Sequence, residues 1–278
     1  MRKHIRLNAF LVSIICVFNI VAPSMVFAES NTVIISDEKD LEKLSKKCTL
    51  DSWSVGKTVV LKNDIKLSKK CDFLPIPTFG GNFKGNGYTI SGIKLKTTGS
   101  HQGFFRYIQE SGVVSNLNLE GEILPDGSKN YIGGIAGENN GLIQFCDFEG
   151  TVKGESTVGG IVGFNNEKGK IQSCISGGNV DAKTMVGGIA GKNSGFILKA
   201  QNNSEVNTVE QKSENNVMNT ETDVESVVEN IKNSEDDNES EGIMSGTSDI
   251  GGIAGISNGV IQGCINNGTV GYQHVGYN

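Results

Sequence analysis

One six-residue block, in which two glycines follow an Ile or a Val, occurs four times along this chain. The copies begin at Ile132, Val158, Val186 and Ile250. The first two intervals are 26 and 28 residues. A unit of this length is too short to bury its own apolar face, so the copies must stack on one another.

The rest of the unit also repeats. Each block is followed by an Asn- or Ser-containing turn and another glycine, and three later positions recur at fixed offsets from that glycine. These positions form an Ile column, a mostly Cys column and a Val column: Ile143, Ile171, Ile197 and Ile261; Cys146, Cys174, Ala200 and Cys264; Val152, Val180, Val206 and Val270. Stacking places each side chain on its equivalent, so the columns are predicted to be the structural core ladder.

Apolar and polar residues alternate over short runs within each unit, which is the period of a β-strand. A repeat of about 25 residues fits one β-helix coil of about three strands, whereas a propeller blade needs about 40 residues or more. The 37 glycines among 278 residues do not recur at every third position, which excludes collagen. The sequence therefore predicts an all-β, right-handed parallel β-helix, also called a β-solenoid.

The remaining segments are assigned around these coils. Residues 55–131 are predicted to form more degenerate coils, and residues 132–206 and 249–278 the regular ones. Residues 29–54 are predicted to form an N-terminal cap, in which Ser36 caps a short helix running to about Lys47. The last coil has no polar cap, so we expect the chain to be a fragment or an early-terminated product. If the chain is complete, we expect it to self-associate through this end.

The first 28 residues have the order of a secretory signal peptide. A basic start is followed by a mostly apolar run from Ala9 to Val21, and the small-residue rule places cleavage between Ala28 and Glu29. An uncleaved membrane anchor is the alternative. Cleavage would leave 22 basic and 31 acidic residues, so we expect an acidic protein that is secreted or displayed at the cell surface.

Residues 207–248 interrupt the repeat. Twelve acidic residues and two lysines lie between Glu205 and Glu241, a composition that favours a disordered, solvated loop. Because the repeat resumes in phase at Ile250, the insert is predicted to loop out at one corner of the solenoid. A short amphipathic helix, partner docking and cation attraction remain alternatives.

The cysteines favour structural roles. Cys48 and Cys71 lie outside the regular repeats, and a disulfide between them is predicted for an exported protein. The Cys column has Ala200 in one place, and a metal ladder would not omit one position. Core packing is therefore predicted for that column rather than metal or redox chemistry, and no cofactor is expected.

The sequence contains no recognisable catalytic constellation. The whole chain has three arginines, which argues against nucleic-acid binding. His101 and His274 have no acid or Ser partner nearby in the sequence, and Arg106 is predicted to be a surface charge. Five aspartates are dispersed singly: Asp64, Asp72, Asp126, Asp147 and Asp181. Asp147 and Asp181 do not share a repeat offset, so they form no carboxylate ladder. A sugar-stacking face remains possible as an alternative to core packing, and it would use four aromatic residues: Trp53, Phe79, Tyr88 and Tyr107.

The Gly-Gly-Ile-Ala-Gly and Gly-Leu-Ile units resemble the GLUG repeat of bacterial surface proteins. The stretch from Phe73 to Ile123 resembles the segment that precedes such repeats in the immunoglobulin-A-specific zinc metallopeptidases of Gram-positive bacteria. The resemblance covers roughly residues 55–206 and 250–278. It implies the architecture, but the peptidase motif His-Glu-x-x-His is absent.

These patterns lead to a hypothesis of a non-catalytic surface module that acts as a stalk, spacer or adhesin. Its partner would be an extracellular protein or a glycan. One alternative is an accessory N-terminal region of a larger exported metallopeptidase. The other is a carbohydrate-active β-helix, a lyase or glycosidase, which the scattered carboxylates do not favour.

Overall fold

The computed structural model describes residues 31–71, 73–127, 129–208 and 249–272. It is a parallel β-solenoid, as the repeat spacing predicts. The chain winds through four sheets, here numbered I to IV. One regular coil, residues 130–153, contributes a strand to each sheet, so the coil contains four short strands instead of the expected three.

The elements up to the first regular coil are β1 (Thr32–Ile35), α1 (Glu38–Lys47), β2 (Thr58–Leu61), β3 (Ile65–Lys66), β4 (Ile76–Phe79), β5 (Asn82–Lys84), β6 (Thr89–Leu95), β7 (Phe105–Ile108), β8 (Val113–Ser115) and β9 (Asn118–Ile123). The next two coils contain β10 (Asn130–Gly133), β11 (Ala136–Asn139), β12 (Leu142–Gln144), β13 (Asp147–Lys153), β14 (Ser156–Gly159), β15 (Val162–Asn165), β16 (Lys170–Gln172) and β17 (Ile175–Ala182). The remaining strands are β18 (Thr184–Gly187), β19 (Ala190–Asn193), β20 (Phe196–Leu198), β21 (Gln201–Asn202), β22 (Glu205–Thr208), β23 (Ile250–Gly251), β24 (Ala254–Ser257), β25 (Val260–Gln262), β26 (Ile265–Asn266) and β27 (Val270–Tyr272).

Each sheet stacks equivalent strands from successive coils. Sheet I is β10-β14-β18-β23, and sheet II is β4-β7-β11-β15-β19-β24. Sheet III is β1-β2-β5-β8-β12-β16-β20-β25. Sheet IV is β3-β6-β9-β13-β17-β21-β26, with β22 paired to β17 and β27. The apolar bore lies between these sheets along the length of the described solenoid.

The register continues across the break in the repeat. β18 pairs with β23 through Val186 and Ile250, although residues 209–248 lie between them in the sequence. β22 extends to Thr208, so the solenoid includes the first two residues that the sequence assigned to the insert. The rest of that insert and the predicted signal peptide lie outside the described residues.

Left-handed residues turn the chain at two of the corners. One column precedes or begins the sheet I strands, and its members have φ of 55°, 61°, 58°, 50° and 75°: His101, Tyr131, Thr157, Met185 and Asp249. The other lies between sheets III and IV: Asn116, Phe145, Ser173 and Lys199. A single left-handed residue changes the chain direction sharply, so four strands fit into one coil.

Glycine is required where backbones meet most closely. A Cβ on Gly134 would lie 2.3 Å from Cγ of Phe148 and 2.4 Å from the carbonyl oxygen of Gly160. Gly150 has φ of 149°, and a Cβ there would lie 1.9 Å from the carbonyl oxygen of Gly121. These contacts explain why glycine is needed at Gly134 in the repeated block and at Gly150 in β13.

Helix α1 packs against β1 and β4 at the first coil, as expected of a cap. Leu41 and Leu44 are buried there. The N-cap is Asp37, not the predicted Ser36: the Asp37 side chain accepts the N–H of Asp40, whose carboxylate accepts the N–H of Ser36. The two aspartates therefore each accept a backbone N–H at the start of the helix, one from within the first turn and one from the residue before the N-cap.

Candidate functional site

The three predicted columns lie in the bore in register. Ile143, Ile171 and Ile197 are fully buried, as are the Val residues of the third column up to Val206. The equivalents in the last described coil are open, with Ile261 41% and Val270 37% exposed. Self-association through this coil stays a prediction.

The Cys column fills one inner corner of the coil. Cys146 Sγ donates to the carbonyl of Gln144 at 3.2 Å, and Cys174 Sγ donates to that of Gln172 at 3.4 Å. Each thiol also approaches a carbonyl of the preceding coil, at 3.6 Å and 3.7 Å respectively. These thiols are packed as weak donors in an apolar environment, and burial raises the pKa of Cys174.

Cys48 and Cys71 are both free thiols in the structure, so the predicted disulfide is not formed there. Cys48 is the buried C-cap of α1, and burial raises its pKa to about 12. Cys71 is half-buried and its Sγ donates to Glu42 at 3.4 Å; burial raises its pKa to about 11. Cys48 thus lies in the core, whereas the Cys71 thiol contacts Glu42.

A run of stacked rings lies on the outer side of the solenoid, where sheet I meets sheet II. His101 is sandwiched between Tyr107 and Tyr131, with ring centroids 4.8 Å and 4.6 Å apart and interplanar angles of 28° and 15°. Tyr131 continues to Phe164 at 6.1 Å, and Lys192 Nζ lies 5.0 Å from the Phe164 centroid. We call His101, Tyr107, Tyr131 and Phe164 the aromatic stack.

The aromatic stack contains an acid–histidine pair that sequence distance concealed. His101 Nε2 lies 3.3 Å from Glu138 Oε2, and both side chains are mostly buried. Glu138 also accepts from Asn140 and Asn166. Burial lowers the pKa of His101; the Glu138 charge opposes this effect and Arg106 adds to it.

Arg106 is not the free surface charge that the sequence predicted. Its guanidinium donates to the carbonyls of His101 and Ser100 at 3.2 Å each. It therefore holds the turn that carries His101 in place. The histidine has a positioned acid partner, a locked backbone and two aromatic neighbours.

The aromatic residues proposed for sugar stacking are not brought together. Phe79 is fully buried in the core. Tyr88 is partly buried and packs against the core cluster. The ring of Trp53 has the ammonium groups of Lys47 and Lys57 at 5.3 Å and 5.5 Å. Tyr107 is in the aromatic stack, where stacking covers ring faces and leaves mainly edges to a ligand.

Sequence reasoning missed Tyr131, Phe164 and Glu138 because their partners come from different coils. A usable signal existed, since the residue after each Ile-(Ala/Val)-Gly points outward and varies between copies. In sheet II that position is occupied in register by Glu138, Phe164, Lys192 and Ile256. A variable outward position in an otherwise regular repeat marks a surface that the core does not constrain.

Asp64 and Asp181 each have a separate partner. Asp64 accepts the N–H of Thr89 at 2.8 Å, and Asp181 pairs with Lys153 at 3.1 Å. Burial raises the pKa of Asp147, which has no second carboxylate in its column. In the part of the chain that the structure describes, no group of three His, Cys, Asp or Glu could hold a metal ion.

Comparisons with known proteins give two relatives at similar identity. The chain is 30% identical over 131 residues to Halomucin of Haloquadratum walsbyi. This alignment covers 45% of this chain and 1% of the relative. It is 30% identical over 172 residues to the "Putative Gly-rich membrane protein" of Evansella cellulosilytica. This alignment covers 53% of this chain and 19% of the relative. The chain thus spans a small part of both, and their names indicate surface-type or membrane-associated proteins.

No family model matches the chain, so the resemblance to the GLUG repeat stays a prediction. A solved structure from Bacteroides ovatus described as a "putative immunoglobulin A1 protease" is similar with a TM-score of 0.46 and 19% identity. The alignment covers 64% of this chain and 67% of that one. Among the described residues, no helix is long and apolar enough to cross a membrane.

Proposed function

We propose that this chain is a non-catalytic module of an exported surface protein and that it serves as a stiff spacer. The observation that carries the proposal is the continuous register of the solenoid. Sheet III alone runs through eight strands, and seven intervals of about 4.8 Å give a rod of roughly 34 Å. The names of the two relatives support a surface location.

Stiffness follows from the pairing. Successive regular coils are hydrogen-bonded to one another through four sheets, and buried side chains stack along the bore. Such a structure gains length by adding coils, because each coil contacts only the next one. Side chains on the outer faces vary without disturbing this core, so a spacer can also carry adhesive residues.

Removal of one complete coil tests the proposal. Deleting residues 158–185 joins Thr157 to Val186 and keeps every column in phase. We expect a folded rod shortened by about 4.8 Å, measured by small-angle X-ray scattering. The matched control deletes residues 158–171, which removes half a coil and should prevent folding. A half-coil deletion that folds as well as the full-coil deletion would contradict the spacer architecture.

Catalysis is tested separately with the purified chain on polysaccharides and on peptides. We expect no turnover. Product formation that is lost in His101→Gln and kept in Tyr88→Phe would overturn the non-catalytic proposal and favour the carbohydrate-active alternative. The aromatic stack is the place to test first, because His101 and Glu138 are positioned against each other there.

A further inference from the structure

A gap in sheet IV lies beside the second half of β6. β3 pairs with β6 through only two positions, Ile65 with Ile90 and Lys66 with Ser91. β6 then bulges and continues to Leu95, pairing with β9 alone. On the side away from β9, no described strand lies next to the residues from Ile93 to Leu95.

Main-chain groups face this gap. The carbonyl of Leu95 accepts the N–H of Leu124, 2.8 Å away, on the β9 side. Because successive residues in a parallel ladder direct their main-chain groups to opposite sides, the N–H and C=O of Lys94 point into the gap. An unpaired strand segment of this kind is a template for another extended chain.

The gap opens into a cavity of about 430 Å³, within the range of ligand sites. Its floor is apolar and nearly closed to solvent: Leu67, Phe73 and Leu95 are 9%, 7% and 2% exposed. Phe73 is fixed by stacking on Phe104, with ring centroids 5.0 Å apart. The floor is therefore preformed.

Three lysines surround this floor in an otherwise acidic chain. Lys66, Lys69 and Lys94 line the cavity and are exposed. Lys94 lies 3.9 Å from Glu122 in a solvent-exposed pair, which holds it weakly. On the helix side, Glu38 accepts from the N–H and hydroxyl of Ser68 at 2.8 Å and 3.1 Å. These two hydrogen bonds orient the Glu38 carboxylate toward Ser68.

We propose that this cavity binds a short, extended, acidic peptide segment as an added strand beside β6. The peptide main chain pairs with Lys94, one apolar side chain enters the floor, and the flanking carboxylates meet the lysines. The free strand edge favours a peptide over a small amphiphilic anion, which would use only the floor and the charges. This site is independent of the spacer function.

The test uses a fluorescent acetyl-Glu-Val-Glu-Val-Glu peptide and the anisotropy of its emission. We expect saturable binding that weakens with salt. A peptide with lysines in place of the glutamates should not bind. A peptide N-methylated at its main chain should lose at least about tenfold in affinity, since it cannot complete the strand pairing. Equal binding of the N-methylated peptide would overturn the added-strand proposal.

Variants localise the site. The triple variant Lys66→Gln, Lys69→Gln and Lys94→Gln should weaken binding about tenfold or more. The matched triple variant Lys39→Gln, Lys62→Gln and Lys84→Gln removes the same charge from exposed positions outside the cavity, and should stay within about twofold. Equal losses in both variants would show charge attraction without a site and would overturn the proposal.

Cys71 provides a second readout, because this residue lines the cavity. Bound peptide should slow its alkylation by iodoacetamide, while half-buried Cys264 at the far end of the solenoid keeps its rate. Protection by decanoate but not by the peptide would overturn the proposal in favour of a small amphiphilic ligand. Loss of peptide binding would leave the coil-deletion and turnover results unchanged, so the two proposals fail separately.

Discussion

The side-chain amide of Asn139 donates through Nδ2 to Oδ1 of Asn165, 2.8 Å away in the next coil. Asn165 repeats the contact with Asn193 at 2.8 Å, and Asn193 donates to Ser257 at 3.0 Å. The three asparagines are completely buried. Each amide also bonds the carbonyl of a nearby glycine, such as Gly141, so the ladder joins turn to turn.

This ladder predicts a large effect of Asn165→Ala. The change removes the ladder partner of Asn139 Nδ2 on one side and of Asn193 Oδ1 on the other, and we expect a loss of about 2–4 kcal/mol in the free energy of unfolding. Chemical denaturation measures it. Asn258→Ala, at an exposed position, is the control and should change stability by less than about 0.5 kcal/mol. An equal effect in the two variants would argue against the ladder.

Gly134→Ala should destabilise the protein by about 1–3 kcal/mol through overpacking. The new methyl group would meet the Phe148 ring in β13 and the Gly160 carbonyl between β14 and β15, and that carbonyl is held by the N–H of Gly134 at 3.2 Å. Thermal unfolding checks the change. Gly271→Ala is the matched control, since a Cβ there meets nothing within 4 Å and should be tolerated.

The position of His101 gives the stability a pH dependence. Its pKa is lowered in the folded state, chiefly by burial, so the unfolded chain binds more protons as the pH falls below about 6.5. The stability contribution is present above that pH and is lost as the pH falls toward the folded pKa. His101→Gln should reduce the change of the denaturation midpoint with pH between pH 5 and 7. An unchanged slope would show that other groups cause it.

Equivalent positions along the Ile column should differ in energetic weight. Ile171 is fully buried between coils, so Ile171→Ala should cost about 2–5 kcal/mol. Ile261→Ala should cost less than about half of that, because 41% of Ile261 is exposed. Urea titration of both variants compares them directly, and equal costs would indicate that the last described coil is covered in solution.

Thiol reactivity should separate Cys71 from Cys48. The pKa of Cys71 is raised to about 11 and that of buried Cys48 to about 12. The alkylation rate of Cys71 should therefore rise about tenfold per pH unit between pH 8 and 10 and exceed that of Cys48. Peptide mapping by mass spectrometry measures both. A peptide pair that carries the disulfide would show that the oxidised form predicted from the sequence exists in solution.

Much of the fold follows from the columns in the sequence. Ile143, Ile171 and Ile197 share an offset, and identical offsets in a short repeat require stacking in a parallel array. The number of strands per coil did not follow. It depends on left-handed corners such as Phe145 and Lys199, and residues of these types rarely adopt that conformation.

The candidate site was less accessible to sequence reasoning. His101 and Glu138 meet although they belong to different coils and to different positions within the coil, so no offset connects them. The disulfide prediction used only compartment and separation along the chain, and these do not determine side-chain direction. Cys48 turns into the core below the helix, while Cys71 faces Glu42.

The unbroken pairing of Val186 with Ile250 has a practical consequence. The corner after Thr208 admits 41 residues before the next coil begins, without any change in the pairing on either side. A guest domain inserted at this corner would be held at a fixed height on the rod. The same solenoid could therefore carry different inserted domains at this corner, introduced by recombination in nature or by design in the laboratory.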